Sequence, residues 1–209
     1  MKRRTEQKKA FVYRGAWTAL IWLVSALALS AAEPLTVEDA DGKKVPFNPA
    51  ARVTVIIGSN ENIQQRTREA GKALDGFQGR PDFRAVVLVD LRDSIGNLVP
   101  WIVRGRMRAD LDKEARRITP SYRANGNAGD PRPDVSAVPD FDGKICRQIG
   151  WEKPGKTLRV VVFGKDGAAA RRWEDLTDYA ELREAVRKAL EAEVPGGQAA
   201  VSPPAASSP

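Results

Sequence analysis

The sequence predicts an α/β fold: one mixed central sheet with helices on both faces. Three observations carry that prediction. Short runs rich in β-branched and other apolar residues, Val53–Ile57, Ala85–Leu91 and Leu158–Phe163, fit buried strands. Between them lie stretches whose apolar residues recur at helical spacing, and strand–helix–strand units favour parallel neighbours through right-handed crossovers. An Asp166-Gly167 turn then joins two strand-like runs and forces one antiparallel edge.

The elements follow in order. Leu35–Val37 and Lys44–Phe47 flank the turn dipeptide Asp41-Gly42 and predict a short hairpin. After the Val53–Ile57 strand, Ser59 or Asn60 is expected to cap a helix that aligns Ile63, Thr67, Ala70 and Leu74, with Gly76 ending it. Ala85–Leu91 is the second strand. A second helix runs from Pro100, a residue suited to a first turn, to Ile118, with Val103, Met107, Leu111 and Ala115 on its inner face. Thr119–Pro133, rich in Pro, Gly and Asn, reads as an exposed loop. Asp134–Val138 is a short strand and Gly143–Ile149 a short helix. Leu158–Phe163 and Ala168–Trp173 make the closing hairpin. A last helix starts at Thr177 or Asp178, with Glu181 completing a capping box. It buries Leu182, Val186, Ala189 and Leu190, while Glu184–Lys188 supports its outer face.

The ends have different roles. Residues 1–15 are basic, residues 16–32 are uncharged and mainly apolar, and Ser30-Ala31-Ala32 closes the run with small residues. This is the layout of a secretory signal peptide, residues 1–32; the alternative is an uncleaved N-terminal anchor. Residues 33–194 form one domain, and residues 195–209 a disordered Pro/Ala/Ser tail. The expected address is the periplasm or the exterior, or the inner membrane with the domain in the periplasm if the leader stays. Membrane contact is expected only in that second case.

Composition excludes much chemistry. The formal +7 falls to +2 once residues 1–32 are set aside, which removes the main support for nucleic-acid binding. The chain has no histidine, so histidine-based metal sites, Ser-His-Asp and Cys-His catalysis and histidine pH switches are out. With one cysteine, Cys146, it has no dithiol pair and no internal disulfide. No cofactor is expected.

Three stretches carry a family resemblance: LTVEDADGKKVPF (Leu35–Phe47), VSAVPDFDGKICRQIGW (Val135–Trp151) and LRVVVFGKDGAAARRW (Leu158–Trp173). Their order and spacing resemble the thioredoxin-like superfamily, in its peroxiredoxin-like and membrane-tethered thioredoxin-like branch, over about Leu35 to Leu190. The resemblance implies a thioredoxin-like mixed sheet. Redox-active members carry a C-x-x-C, or a lone peroxidatic cysteine, where the first long strand meets the next helix. Here that place reads Gly58-Ser59-Asn60-Glu61-Asn62-Ile63, so Ser59 and Asn62 hold the C-x-x-C spacing without a thiol. The resemblance therefore implies the fold and withdraws dithiol activity and copper delivery. Many members place a cis-proline near the site; Pro154, four residues before Leu158, is the candidate for that place.

Cys146 has two readings. As a core residue it is a small buried hydrophobe. As a redox thiol, with Lys144 and Arg147 lowering its pKa, it would be the one catalytic candidate; the first reading is preferred because reactivity needs exposure. Trp101, Trp151 and Trp173 read as core or rim aromatics, and the arginines of the second helix as a solvated face.

The expected function is an exported thioredoxin-like protein without dithiol redox activity, a periplasmic binding or scaffold module rather than an enzyme. Its surface would be the edge around Ser59, Asn60, Asn62 and Pro154, its partner an envelope protein or a small anionic ligand. The alternatives are a one-cysteine enzyme that reduces peroxide or exchanges disulfides through Cys146, and a membrane-tethered envelope assembly factor.

Overall fold

The structure, a computed structural model, describes residues 35–94, 99–153 and 155–192. The expected leader, the expected tail and Pro154 lie outside the described residues.

β1 (Thr36–Glu38) and β2 (Lys44–Pro46) pair antiparallel. Their turn is held by Asp39, whose Oδ1 accepts from the Asp41 and Lys43 amides at 2.9 Å each. The main sheet contains β3 (Val53–Ser59), β4 (Phe83–Asp90), β5 (Ser136–Asp140), β6 (Val160–Phe163) and β7 (Ala169–Trp173), in the order β5-β4-β3-β6-β7. β3, β4 and β5 run parallel, whereas β6 is antiparallel to β3 and β7 to β6. β3 is buried along its whole length because it is apolar on both sides, as a central strand covered on two faces must be.

Alternation along the strands divides the core in two. Val53, Val55 and Ile57 face α1 (Gln64–Ala73) and α4 (Tyr179–Glu191), meeting Ala70, Leu74, Leu182 and Val186. On the same side α2 (Pro100–Ala124) lays Leu111 and Met107 against Val87 and Ala137. On the other side Ile56, Val86, Leu88 and Val161 meet the hairpin residues Val37, Val45 and Phe47, and Cys146 of α3 (Lys144–Gln148). Each fully buried Val, Leu, Ile or Phe among them contributes roughly 1.5–3 kcal/mol. The expected mixed sheet with helices on both faces is what forms.

Several local expectations are corrected. α1 begins after Ile63 with no side-chain cap, and Ser59 is the last residue of β3 rather than a cap. The second helix does not stop at Ile118: α2 continues through Pro120 to Ala124. Pro120 faces outward, while Ile118 and Tyr122 are buried and the Tyr122 hydroxyl donates to Asp134 Oδ2 at 2.7 Å. Packing thus outweighs the one backbone bond a proline removes. At α4, Asp178 caps the helix through the Ala180 amide, but Glu181 does not close a capping box; its carboxylate accepts instead from Trp173 Nε1 at 3.1 Å. Trp151 and Trp173 are buried as expected, whereas Trp101 is 75% exposed.

Candidate functional site

The corner between β3 and α1 is built by backbone approach. Gly58 donates to the Arg159 carbonyl at 2.8 Å, and a Cβ at Gly58 would lie 3.2 Å from that oxygen and 3.3 Å from the Trp151 ring. Glycine therefore lets β3 pass close under the segment that leads into β6. Thr67 Oγ1 ties α1 back to the strand through the Gly58 and Ile63 carbonyls, at 3.0 and 3.1 Å.

Ser59 is 8% exposed. Asn60 takes a role that its residue type alone does not reveal. Its Oδ1 accepts from the Asn62 amide at 2.9 Å, an Asx turn, and its Nδ2 donates to the Gly155 carbonyl at 2.6 Å. The corner is thus fastened to the loop before β6. Between them opens a cleft of about 110 Å³, lined by Asn60, Glu61, Asn62, Asp93, Gly155 and Lys156. A smaller recess of about 20 Å³ shares Asn60, Asp90 and Gly155 with it and reaches in to Ser59, Trp151 and Arg159.

Arg92 braces the end of β4 beside the cleft. Its guanidinium grips both Asp90 carboxylate oxygens, at 3.0 and 2.8 Å, and donates to the Glu152 carbonyl at 2.6 Å and the Trp151 carbonyl at 3.3 Å. The end of β4 is thereby bolted to the segment carrying Trp151. Two buried donors in that region lack a hydrogen-bond acceptor: Trp151 Nε1 and Arg159 Nε. Arg159 Nε lies 3.2 Å from Glu174 Oε2, close enough for an ion pair but not aligned for a hydrogen bond.

Cys146 also borders the recess, yet it is only 2% exposed. Its amide donates to Asp140 Oδ2 at 2.7 Å, and Asp140 is itself buried. Burial first, then the hydrogen bond and charge of Asp140, push the thiol far above its ordinary range, outweighing Arg92. Lys144 and Arg147, expected to activate the thiol, do not: Lys144 pairs with Asp142 at 2.7 Å, and Arg147 donates to the Asp142 carbonyl at 3.1 Å. The thiol has the surroundings of a core residue.

Sequence reasoning located Ser59, Asn60 and Asn62 at the corner but not the strut beside them. In the sequence Asp90 is one carboxylate among many, with nothing to single it out. Nothing in the sequence marks Arg92 as its partner or Gly155 as the acceptor for Asn60, because those bonds depend on how the loops fold back. Among the described residues no cluster of three or more metal-binding side chains occurs.

No family model matches the sequence, and no curated protein matches it. Solved structures do. A candidate protein disulfide isomerase from Bacteroides thetaiotaomicron is 13% identical with a TM-score of 0.50, over 76% of this chain and 87% of that one. A candidate thioredoxin from Neisseria meningitidis is 16% identical with a TM-score of 0.46, over 76% and 89%. A peroxiredoxin-like protein from Aquifex aeolicus is 14% identical with a TM-score of 0.44, over 75% and 83%. With its β5-β4-β3-β6-β7 sheet, and with a serine and an asparagine at the β3–α1 corner in place of a thiol pair, this chain has the thioredoxin-like fold.

Proposed function

We propose that this chain is an exported, thioredoxin-fold binding module without dithiol chemistry, which holds an extended segment of an envelope protein in the cleft between Asn60 and Gly155. One observation carries the reading: the cleft is built and braced, the corner beside it carries Ser59 rather than a thiol, and the chain's one thiol is buried in α3. The recess that adjoins the cleft adds Trp151 Nε1, a buried donor without an acceptor, and a bound segment has carbonyls to offer. Export is supported by the layout of residues 1–32. Among the described residues no helix is long and apolar enough to cross a membrane.

The test is a photo-crosslinking amino acid placed at Asn62 in the full-length chain, with exposed Arg187 on α4 as the control. The expected result is a discrete adduct from Asn62 and none from Arg187. Equal labelling at both, or none at Asn62, removes the reading. Mass spectrometry of the protein from cells decides the address: a chain beginning at Glu33 shows cleavage and rejects the tether.

A further inference from the structure

The end of α2 is fastened to the segment between α1 and β4 by asparagine amides. Asn125 Nδ2 donates to the Gly76 carbonyl at 3.1 Å and to the Gln78 carbonyl at 2.7 Å, and Asn127 Nδ2 donates to the Gly79 carbonyl at 3.2 Å. Both protons of the Asn125 amide nitrogen are thus used. Asn125 is also exposed, and with Gly126 it forms the sequence's one Asn-Gly pair. Such a pair loses its side-chain amide more readily than other asparagine pairs, because glycine puts no side chain in the way of its own nitrogen.

The folded backbone withholds that reaction. Ring closure needs the Gly126 nitrogen, freed of its proton, against Asn125 Cγ. In the structure the Gly126 N–H donates to the Arg123 carbonyl at 3.0 Å, and at a ψ of 16° Asn125 turns it away from its own side chain. The Asn125 amide nitrogen, which has to leave, is held by its two carbonyls. Reaction therefore requires the last turn of α2 to open first, and helix ends are where local opening is easiest.

We propose that Asn125 is a site of deamidation gated by the docking of α2, and that its conversion releases the last turn for good. In the opened turn the Gly126 nitrogen attacks Asn125 Cγ, and a C–N bond forms as the Cγ–Nδ2 bond breaks. The proton lost from Gly126 leaves with the ammonia. Water then adds to either carbonyl of the five-membered ring and opens it to aspartate or isoaspartate, with no change of oxidation state. The product carboxylate has only acceptors to set against the Gly76 and Gln78 carbonyls. Two donated bonds become oxygen against oxygen, so the clasp does not re-form.

The test is peptide mapping of the full-length protein held at mildly alkaline pH, folded and in urea. Conversion is expected at Asn125, at least about tenfold slower in the folded protein, as a required local opening imposes. Equal rates overturn the gate, and a folded protein that converts first at Asn62 or Asn127 overturns the site. The release has its own readout: amide exchange over residues 118–124 in Asn125→Asp at neutral pH, where the new carboxyl is ionised. Faster exchange than in the parent is expected. Unchanged exchange means that the Asn125 amide does not hold the turn, and overturns the proposal.

Discussion

The two sides of the sheet bury different kinds of matter. The α1/α2/α4 side packs apolar residues on apolar residues, and the buried Thr67 hydroxyl beside the strand is bonded twice. The hairpin/α3 side has an apolar centre as well, but it also takes in Thr54, Asp140 and Cys146. Strand alternation places Arg84 there too, and Trp151 belongs to its core, so the buried side-chain atoms of Thr54, Arg84 and Trp151 that lack a hydrogen-bond partner fall on this side. A dry interior can be made from volume and pattern alone, whereas buried polar groups need specific partners. The helical side therefore supplies stability, and the hairpin side is where recesses and bound molecules are to be sought.

The largest effect should come from emptying the helical side. Leu182 is fully buried between α4 and the sheet, and Leu182→Ala should cost about 2–5 kcal/mol by chemical denaturation. Val45→Ala removes fewer atoms from the hairpin and should cost clearly less. Equal losses would break the comparison, because the hairpin would then be as much a part of the stabilising core as the helices.

Gly79 probes how α2 reaches that core. Its φ is +87°, and a Cβ there would stand 2.9 Å from Tyr122 Cα in the last turn of α2. Gly79→Ala combines a left-handed backbone with a backbone clash and should cost about 1–3 kcal/mol. The loss should appear first as faster amide exchange over residues 118–124. A variant as stable as the parent would mean that the C-terminal turn of α2 is not firmly docked.

That turn also shows what was legible in the sequence. The order of strands and helices could be read because period-2 and period-3.6 patterns are local properties. The face of α4 followed from Leu182, Val186, Ala189 and Leu190, all of them buried. The continuation of α2 past Pro120 was not legible: proline and the Gly/Asn-rich stretch after it argue for a loop, and only Tyr122 meeting Gly79 and Asp134 decides otherwise. At the site, the absence of a thiol at Ser59 could be read directly. The Asp90–Arg92 strut and the Asn60–Gly155 bond could not, since side-chain bonds between loops have no period.

Cys146 separates the two sides chemically. With the thiol buried and pushed upward by its surroundings, a thiol reagent should label the native protein very slowly at neutral pH and rapidly once it is unfolded. Cys146→Ser should then cost only about 1–2 kcal/mol, because Asp140 can accept from the new hydroxyl. Fast native labelling, with peroxide sensitivity lost in the serine variant, would instead make this polar side a reactive one and revive the single-cysteine reading.

The smallest effect lies at the hairpin turn and depends on pH. Arg132 holds Asp41 by two bonds, at 2.8 and 3.0 Å, with Lys43 and Arg108 adding positive charge, so the Asp41 carboxyl stays below its ordinary value. The unfolded chain then binds that proton more readily than the folded one. The pair's stabilisation is full above about pH 4 and drains away as pH falls through the folded-state pKa. With no histidine in the chain and the Cys146 thiol raised, stability should be nearly flat between about pH 5 and 8. Asp41→Asn should reduce stability modestly at pH 7 and make the acid decline shallower, with other lowered carboxylates such as Asp82 and Asp175 sustaining what remains. An acid limb identical in parent and variant would mean that Arg132 spends its charge on Asp112 instead, and that the turn is held by Asp39 and its two amides alone.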